Sequence, residues 1–177
     1  MSEERIAAAL ERLESVLRAR PSFADHEETP AMAHWQAGLK LSVSHPKKDL
    51  KVLTDLPAEV GGNGEGVTPG WLMRAGLAAC AASSILLCAA AEGIELESLE
   101  LTAGARSDVR GLLGMADEHG APVPAGYSVI RLQVRVSAPG VPRERLRELI
   151  ERANQQSPVS SALQQGAPLQ LSIELQD

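Results

Sequence analysis

Gly61-Gly62-Asn63-Gly64-Glu65-Gly66-Val67-Thr68-Pro69 runs directly into an apolar stretch that lasts to Glu92, and this junction decides the fold. The glycines make a flexible loop. Thr68 is a good helix N-cap, and Pro69 is tolerated in a first helical turn. Arg74 is the only charge before Glu92, and Gly93 stops the helix. A helix that is apolar nearly all round must be covered on most sides. The pattern therefore predicts a long central helix, whose many alanines let neighbouring backbone approach closely. Its uncharged run, Ala75 to Ala91, is rich in Ala and includes Ser83 and Ser84. It falls below the ~20 strongly apolar residues expected of a bilayer-spanning segment. The glycine loop is not read as a phosphate cradle, because no Lys-Ser or Lys-Thr follows it.

Upstream, Trp35, Ala37, Leu39, Leu41 and Val43 alternate with polar or small residues, which predicts one strand with a buried face. His45-Pro46-Lys47-Lys48 is a turn, and Leu50, Val52, Thr54 and Leu56 mark a second strand, so the two make an antiparallel hairpin. Residues 2–19 carry Ile6, Leu10, Leu13 and Leu17 at helical spacing, and Pro21 ends that helix. Ser22 to Pro30 is an acidic, unpatterned linker. The chain divides into an N-terminal helix and linker, 1–30, and a main domain, 31–177.

Downstream, Leu99, Leu101 and Ala103 alternate, as do Ile130, Leu132, Val134 and Val136, on either side of a turn-rich excursion from Gly111 to Gly126. A helix then carries Leu146, Leu149, Ile150 and Ala153 on one face, and Ser157-Pro158 interrupts it. A closing strand places Leu169, Leu171, Ile173 and Leu175 inward. Hairpins and helices are segregated, with no βαβ repeat, so the fold class is α+β.

The composition of the 177 residues narrows the function. Hydrophobic residues make up 44% and aromatics only 2%, so the core is aliphatic and oligomerisation is a natural way to bury more of it. The net charge of -6, with no basic stripe, excludes nucleic acid as a partner. Two cysteines make no disulfide framework, and the acidic start has no signal-peptide core, so a cytoplasmic protein without a membrane partner is expected. The four histidines show no metal-ligand spacing. Read alone, Cys80 and Cys88 are small core residues, Ser157 starts a turn, and Trp71 is either pocket lining or packing.

The loop from Gly61 to Pro69, leading into Ala78-Ala79-Cys80, resembles the glycine-rich loop, Asn-Pro-Glu turn and Ala-rich helix of the OsmC/Ohr (organic hydroperoxide resistance) family. There a peroxidatic cysteine follows Ala in the same helix. Pro139-Gly140-Val141, a charged helix and Ser157-Pro158-Val159-Ser160 resemble that family's second segment, where the motif reads Cys-Pro. The resemblance covers Trp35 to the C-terminus. It implies an intertwined homodimer with sites at the subunit interface. It also implies thiol-dependent reduction of organic hydroperoxides with no metal or organic cofactor. Cys80 takes the catalytic position.

This sequence departs from the pattern in three places. The resolving cysteine falls on Ser157, which cannot form a disulfide. The acidic residue falls on Gly70. The family's arginine has no counterpart between Arg20 and Arg74, and Lys40 is the nearest cation on the equivalent strand. Lysine offers a point charge without the guanidinium fork. Cys88 is eight residues from Cys80, ~12 Å along the helix, beyond the ~7 Å that a disulfide allows. Three readings follow. One is a one-cysteine peroxidase reduced by an external thiol. The second is a non-catalytic dimer whose apolar interface pocket binds a small ligand. The third is an interaction protein that docks a partner through its N-terminal helix.

Overall fold

The computed structural model describes residues 3–176; Ser2, where the N-terminal helix was expected to start, and Asp177, the end of the predicted main domain, lie outside the described residues. Helix α1 spans Glu3–Ala19. A three-stranded antiparallel sheet follows, β1 (Met32–Ala37), β2 (Lys40–Ser44) and β3 (Lys51–Thr54), paired in that order. The central helix α2 spans Pro69–Ala91. Strands β4 (Ser98–Arg106) and β5 (Val129–Ser137) form a second, two-stranded antiparallel sheet. The short helix α3 (Val109–Leu112) lies between them, and α4 (Arg143–Gln156) and α5 (Pro158–Gln165) come last. The α+β class and the central helix agree with the sequence reading.

Helix α2 begins and ends where its caps require. Thr68 Oγ1 accepts a hydrogen bond from the Trp71 amide at 3.1 Å. Gly93 adopts φ +62° just past the C-terminus, a conformation that glycine takes without strain. The helix packs against β4, α4, α5 and α1. At its far half, Ile85 and Ala89 meet Leu149 and Ala153 of α4 in the buried core, flanked by Leu99 and Leu101 of β4 and Val134 of β5. Leu149 is fully buried; burying such a side chain contributes about 1.5–3 kcal/mol. At the C-cap, the Glu92 carboxylate accepts from both Arg145 and Arg152 of α4, locking the two helices in register.

Two expectations are corrected, and one helix is added. The residues from Trp35 to Val43 are not one strand. The chain reverses at Gly38-Leu39, with Gly38 at φ +54°, so β1 and β2 are themselves a hairpin in which Trp35 faces Leu41. The expected pairing of β2 with β3 holds, with Val43 opposite Val52. The closing strand is not inward. Leu169, Leu171, Ile173 and Leu175 are 94%, 82%, 71% and 92% exposed, in a stretch with no ladder partner among the described residues. Pro158 does not simply end a helix; it occupies the first turn of α5.

Helix α1 rests on α2, with Ile6, Leu10 and Leu17 partly covered and Leu13 and Val16 exposed. The whole of α2, Pro69–Ala91, is longer than the uncharged run from Ala75 to Ala91 and, by length and a mean hydropathy of 1.7 alone, is long and apolar enough to cross a membrane. In this fold its apolar surface packs on protein, although only 28% of its most apolar stretch is buried within the single chain.

Candidate functional site

The glycine loop that leads into α2 is organised by one buried carboxylate. Asp55, 2% exposed, follows β3. Its side chain accepts hydrogen bonds from the backbone N–H groups of Leu56 at 2.8 Å, Asn63 at 3.1 Å and Glu65 at 3.3 Å. Burial works to raise the Asp55 pKa, but those three amides and the charge of Lys40 outweigh it and hold the carboxyl below the usual aspartate range. Gly62 is required here, because a Cβ at that position would lie 1.8 Å from the Leu56 carbonyl oxygen.

Lys40 on β2 reaches this loop and forms an ion pair with Glu65. That hydrogen bond and the lysine charge hold Glu65 below the ordinary glutamate value. The cation singled out in the sequence therefore has a carboxylate partner, which the sequence reading had not assigned.

Cys80 sits half-buried on α2. Ser157, fully buried at the corner between α4 and α5, donates its hydroxyl to Cys80 Sγ at 3.3 Å. The corner is held by the Ser161 amide, which donates to the Ser157 carbonyl at 2.8 Å. Cys88 lies further along α2 and donates to Gln156 Oε1 at 3.2 Å. Of the predicted site residues, the fold thus joins Cys80 to Ser157. Lys40 is committed to Glu65, and Trp71 is 49% exposed at the start of α2. Among the described residues, no hydrogen bond links either of them to Cys80, and no cluster of three or more His, Cys, Asp or Glu could hold a metal.

Position 70 explains itself through a residue that the sequence did not single out. A Cβ at Gly70 would lie 2.5 Å from the hydroxyl of Tyr127, which descends from the loop before β5. Arg74, one turn into α2, donates to the same hydroxyl at 3.4 Å. The space over the first turn of α2 is thus taken by a phenol and a guanidinium. Beside it opens a cavity of about 390 Å³, lined by Leu77 of α2, Tyr127, Ile130 and Leu132 of β5, Asn154 of α4, and Ser160, Leu163 and Gln164 of α5. Ser160 is 3% exposed, and its hydroxyl has no hydrogen-bond partner among the described residues. Tyr127 carries no local motif, and the one sequence hint is that it is the chain's single tyrosine; Ser160 belongs to the Ser157-Pro158-Val159-Ser160 segment, but the sequence reading gives it no role of its own.

Residues 62–172 match the family model of OsmC-like protein. The chain belongs to the OsmC-like family. It is similar to the organic hydroperoxide resistance protein of Xanthomonas axonopodis pv. citri, with 25% identity over 127 residues, 71% of this chain and 80% of that protein. Among solved structures, an OsmC-like protein from Mycoplasma pneumoniae superposes with a TM-score of 0.64 at 18% identity. It covers 79% of this chain and 89% of its own, and supports the shared fold. An organic hydroperoxide resistance protein OsmC from Legionella pneumophila gives a TM-score of 0.54 at 26% identity, over 78% of this chain and 90% of its own. The OsmC-like match begins within the glycine loop and ends in the extended C-terminal stretch, so α1 and its linker lie outside it.

Proposed function

We propose that this OsmC-like chain reduces organic hydroperoxides through Cys80 alone. The observation that carries this reading is the contact between Cys80 Sγ and Ser157 Oγ. A hydroxyl occupies the place from which a second thiol would resolve the oxidised sulfur. The Cys80 thiolate attacks a peroxide oxygen and the O–O bond breaks. The alcohol leaves with a proton, and the sulfur becomes a sulfenic acid. An external thiol then condenses with the sulfenic acid and releases water. A second external thiol attacks the mixed disulfide and returns Cys80 to the thiol. Ser157 donates to the sulfur and cannot itself be oxidised. Lys40 and Glu65 order the loop that launches α2, and Trp71 stands at the exposed start of that helix. The chain's own residues carry the chemistry, without metal or organic cofactor.

The working form in this reading is a cytoplasmic homodimer. The exposed alternation from Leu169 to Leu175 and the incomplete cover on α2 both support a second copy as the missing partner. In the same reading, residues 1–30 form an appended arm on an OsmC-like domain of 31–177. The test is thiol titration before and after cumene hydroperoxide. One thiol lost per chain, absent in Cys80→Ser, supports the enzyme. An unchanged thiol count supports the second reading, a non-catalytic dimer whose apolar pocket at the subunit interface binds a small ligand.

A further inference from the structure

Residues 107–128, between β4 and β5, form an excursion that is stitched to itself and has one polar footing on α2. At its base, the Ser128 amide and hydroxyl both donate to the Arg106 carbonyl, at 2.8 and 3.1 Å. Within it, the Met115 amide donates to the Arg110 carbonyl at 2.9 Å, and the Val123 amide donates to the Met115 carbonyl at 3.2 Å. Gly111 lies so close to the backbone of Pro124 that a Cβ there would sit 2.2 Å from the Pro124 carbonyl oxygen. These bonds hold the excursion together as a unit. Among the described residues, its one hydrogen bond to α2 runs from Arg74 to the Tyr127 hydroxyl.

That footing is loose. At 3.4 Å the bond is longer than an ordinary N–H···O contact. The hydroxyl fits against α2 because position 70 has no side chain: a Cβ at Gly70 would lie 2.5 Å from it. Tyr127 also stands at a boundary, as the one side chain shared by two openings. One is a groove of about 540 Å³ at the base of the excursion, with Arg106, Asp108 and Pro124 in its wall. The other is the cavity of about 390 Å³ behind the ring. Leu77, in the wall of that cavity, precedes Cys80 by three residues on α2, roughly 4.5 Å of rise.

We propose that Tyr127 is a gate. Seated on Gly70 and Arg74, its ring closes the way from the groove toward Cys80, and the way opens when the excursion lifts. The inference rests on Cys80 as the reacting sulfur, and it names the residue that selects by size what reaches that sulfur. One long hydrogen bond holds the gate shut, so a minor open population exists at equilibrium. A large reagent that reacts slowly compared with opening and closing reads that population.

Alkylation of the full-length protein tests this, with iodoacetamide and in parallel with the bulkier N-(1-pyrenyl)maleimide. Peptide mass spectrometry follows Cys80 and Cys88 separately. Neither reagent calls on peroxide chemistry, so the gate is read whether or not hydroperoxide oxidises Cys80. Tyr127→Phe keeps the ring and removes the hydroxyl. It should raise the pyrenylmaleimide rate at Cys80 about fivefold, the effect of losing one hydrogen bond, and leave the iodoacetamide rate unchanged. Gly70→Ala should raise the pyrenylmaleimide rate at least as much, because its Cβ displaces the hydroxyl, while alanine suits a helix better than glycine. Cys88, which donates to Gln156 on α4, should label at the wild-type rate in both variants. Should Gly70→Ala fail to fold, Tyr127→Phe alone decides. An unchanged pyrenylmaleimide rate at Cys80 in either folded variant, an equal rise with iodoacetamide, or a parallel rise at Cys88 that reports general loosening would overturn the proposal.

Discussion

Ser157 Oγ donates to Cys80 Sγ across 3.3 Å, from a fully buried corner between two helices. The contact joins residues 77 positions apart, so it reports the packing of α5 on α2 and not a local accident.

Replacing that hydroxyl by a thiol should convert the site. In Ser157→Cys, the new sulfur starts close enough to Cys80 to reach the ~2.05 Å of a disulfide with a small shift. After stoichiometric hydroperoxide, peptide mass spectrometry should find Cys80 crosslinked to the introduced thiol, with loss of two hydrogens. The wild type should show neither, since Cys88 lies ~12 Å along the same helix. A Cys80–Cys88 crosslink in the wild type would show that α2 unwinds.

The C-terminal stretch should be needed for assembly. Four large aliphatic side chains alternate on it, each at least 71% exposed, which is a row suited to joining a sheet edge. Sedimentation should show a dimer at micromolar concentration for the full chain. Deleting residues 167–177 should shift it to monomer. A truncated protein that remains dimeric would assign the interface elsewhere.

How much of this was visible in the residues varies with the range of the cause. Thr68, Pro69 and Gly93 act within a turn of themselves, so α2 was legible to within a residue or two. The β1–β2 hairpin was not, because a two-residue turn at Gly38-Leu39 leaves the period-two pattern unbroken from Trp35 to Val43. The alternation from Leu169 to Leu175 is real, but no strand among the described residues pairs with it. Cys80 and Ser157 were paired through resemblance and met in space. Tyr127 over Gly70, Asp55 under the loop and the burial of the Ser160 hydroxyl arise from tertiary approach, which no local spacing encodes.

Gly62→Ala should destabilise the fold by about 2–3 kcal/mol, through overpacking against backbone. Its Cβ would sit 1.8 Å from the Leu56 carbonyl oxygen. Gly64→Ala meets nothing within 4 Å but forces alanine to φ +67°, which costs about 1–2 kcal/mol. Urea unfolding of the two variants should rank them in that order. A reversed rank would mean that the loop relaxes freely around Gly62.

Acid stability should depend on Asp55. Its carboxyl titrates below the aspartate range in the folded chain, because the amides of Glu65, Leu56 and Asn63 and the charge of Lys40 overcome burial. A depressed folded-state pKa stabilises above the unfolded value of about 3.9. That contribution disappears as the pH falls from there through the folded-state value. Asp55→Asn should lower stability at neutral pH and flatten the acid limb of a stability-against-pH curve. An unchanged acid limb would remove Asp55 from the account.

Removing residues 1–28 should leave the remainder folded. The sheets, the Cys80–Ser157 contact and the α2–α4 core are all built from later residues. Circular dichroism should lose about one helix and retain a cooperative thermal transition. A molten product would show that the cover of α1 on α2 is essential.

Glu92 places an anion at the end of α2 where backbone carbonyls already concentrate negative potential, the unfavourable end of a helix dipole for that charge. Arg145 and Arg152 close on it from α4. The two guanidiniums offset the carboxylate, so α4 supplies the cations that the carbonyl terminus of α2 favours, and Glu148 of α4 also pairs with Arg145. The orientation of α4 on α2 is then electrostatically signed: turning α4 away would expose a helix terminus and a carboxylate that repel each other.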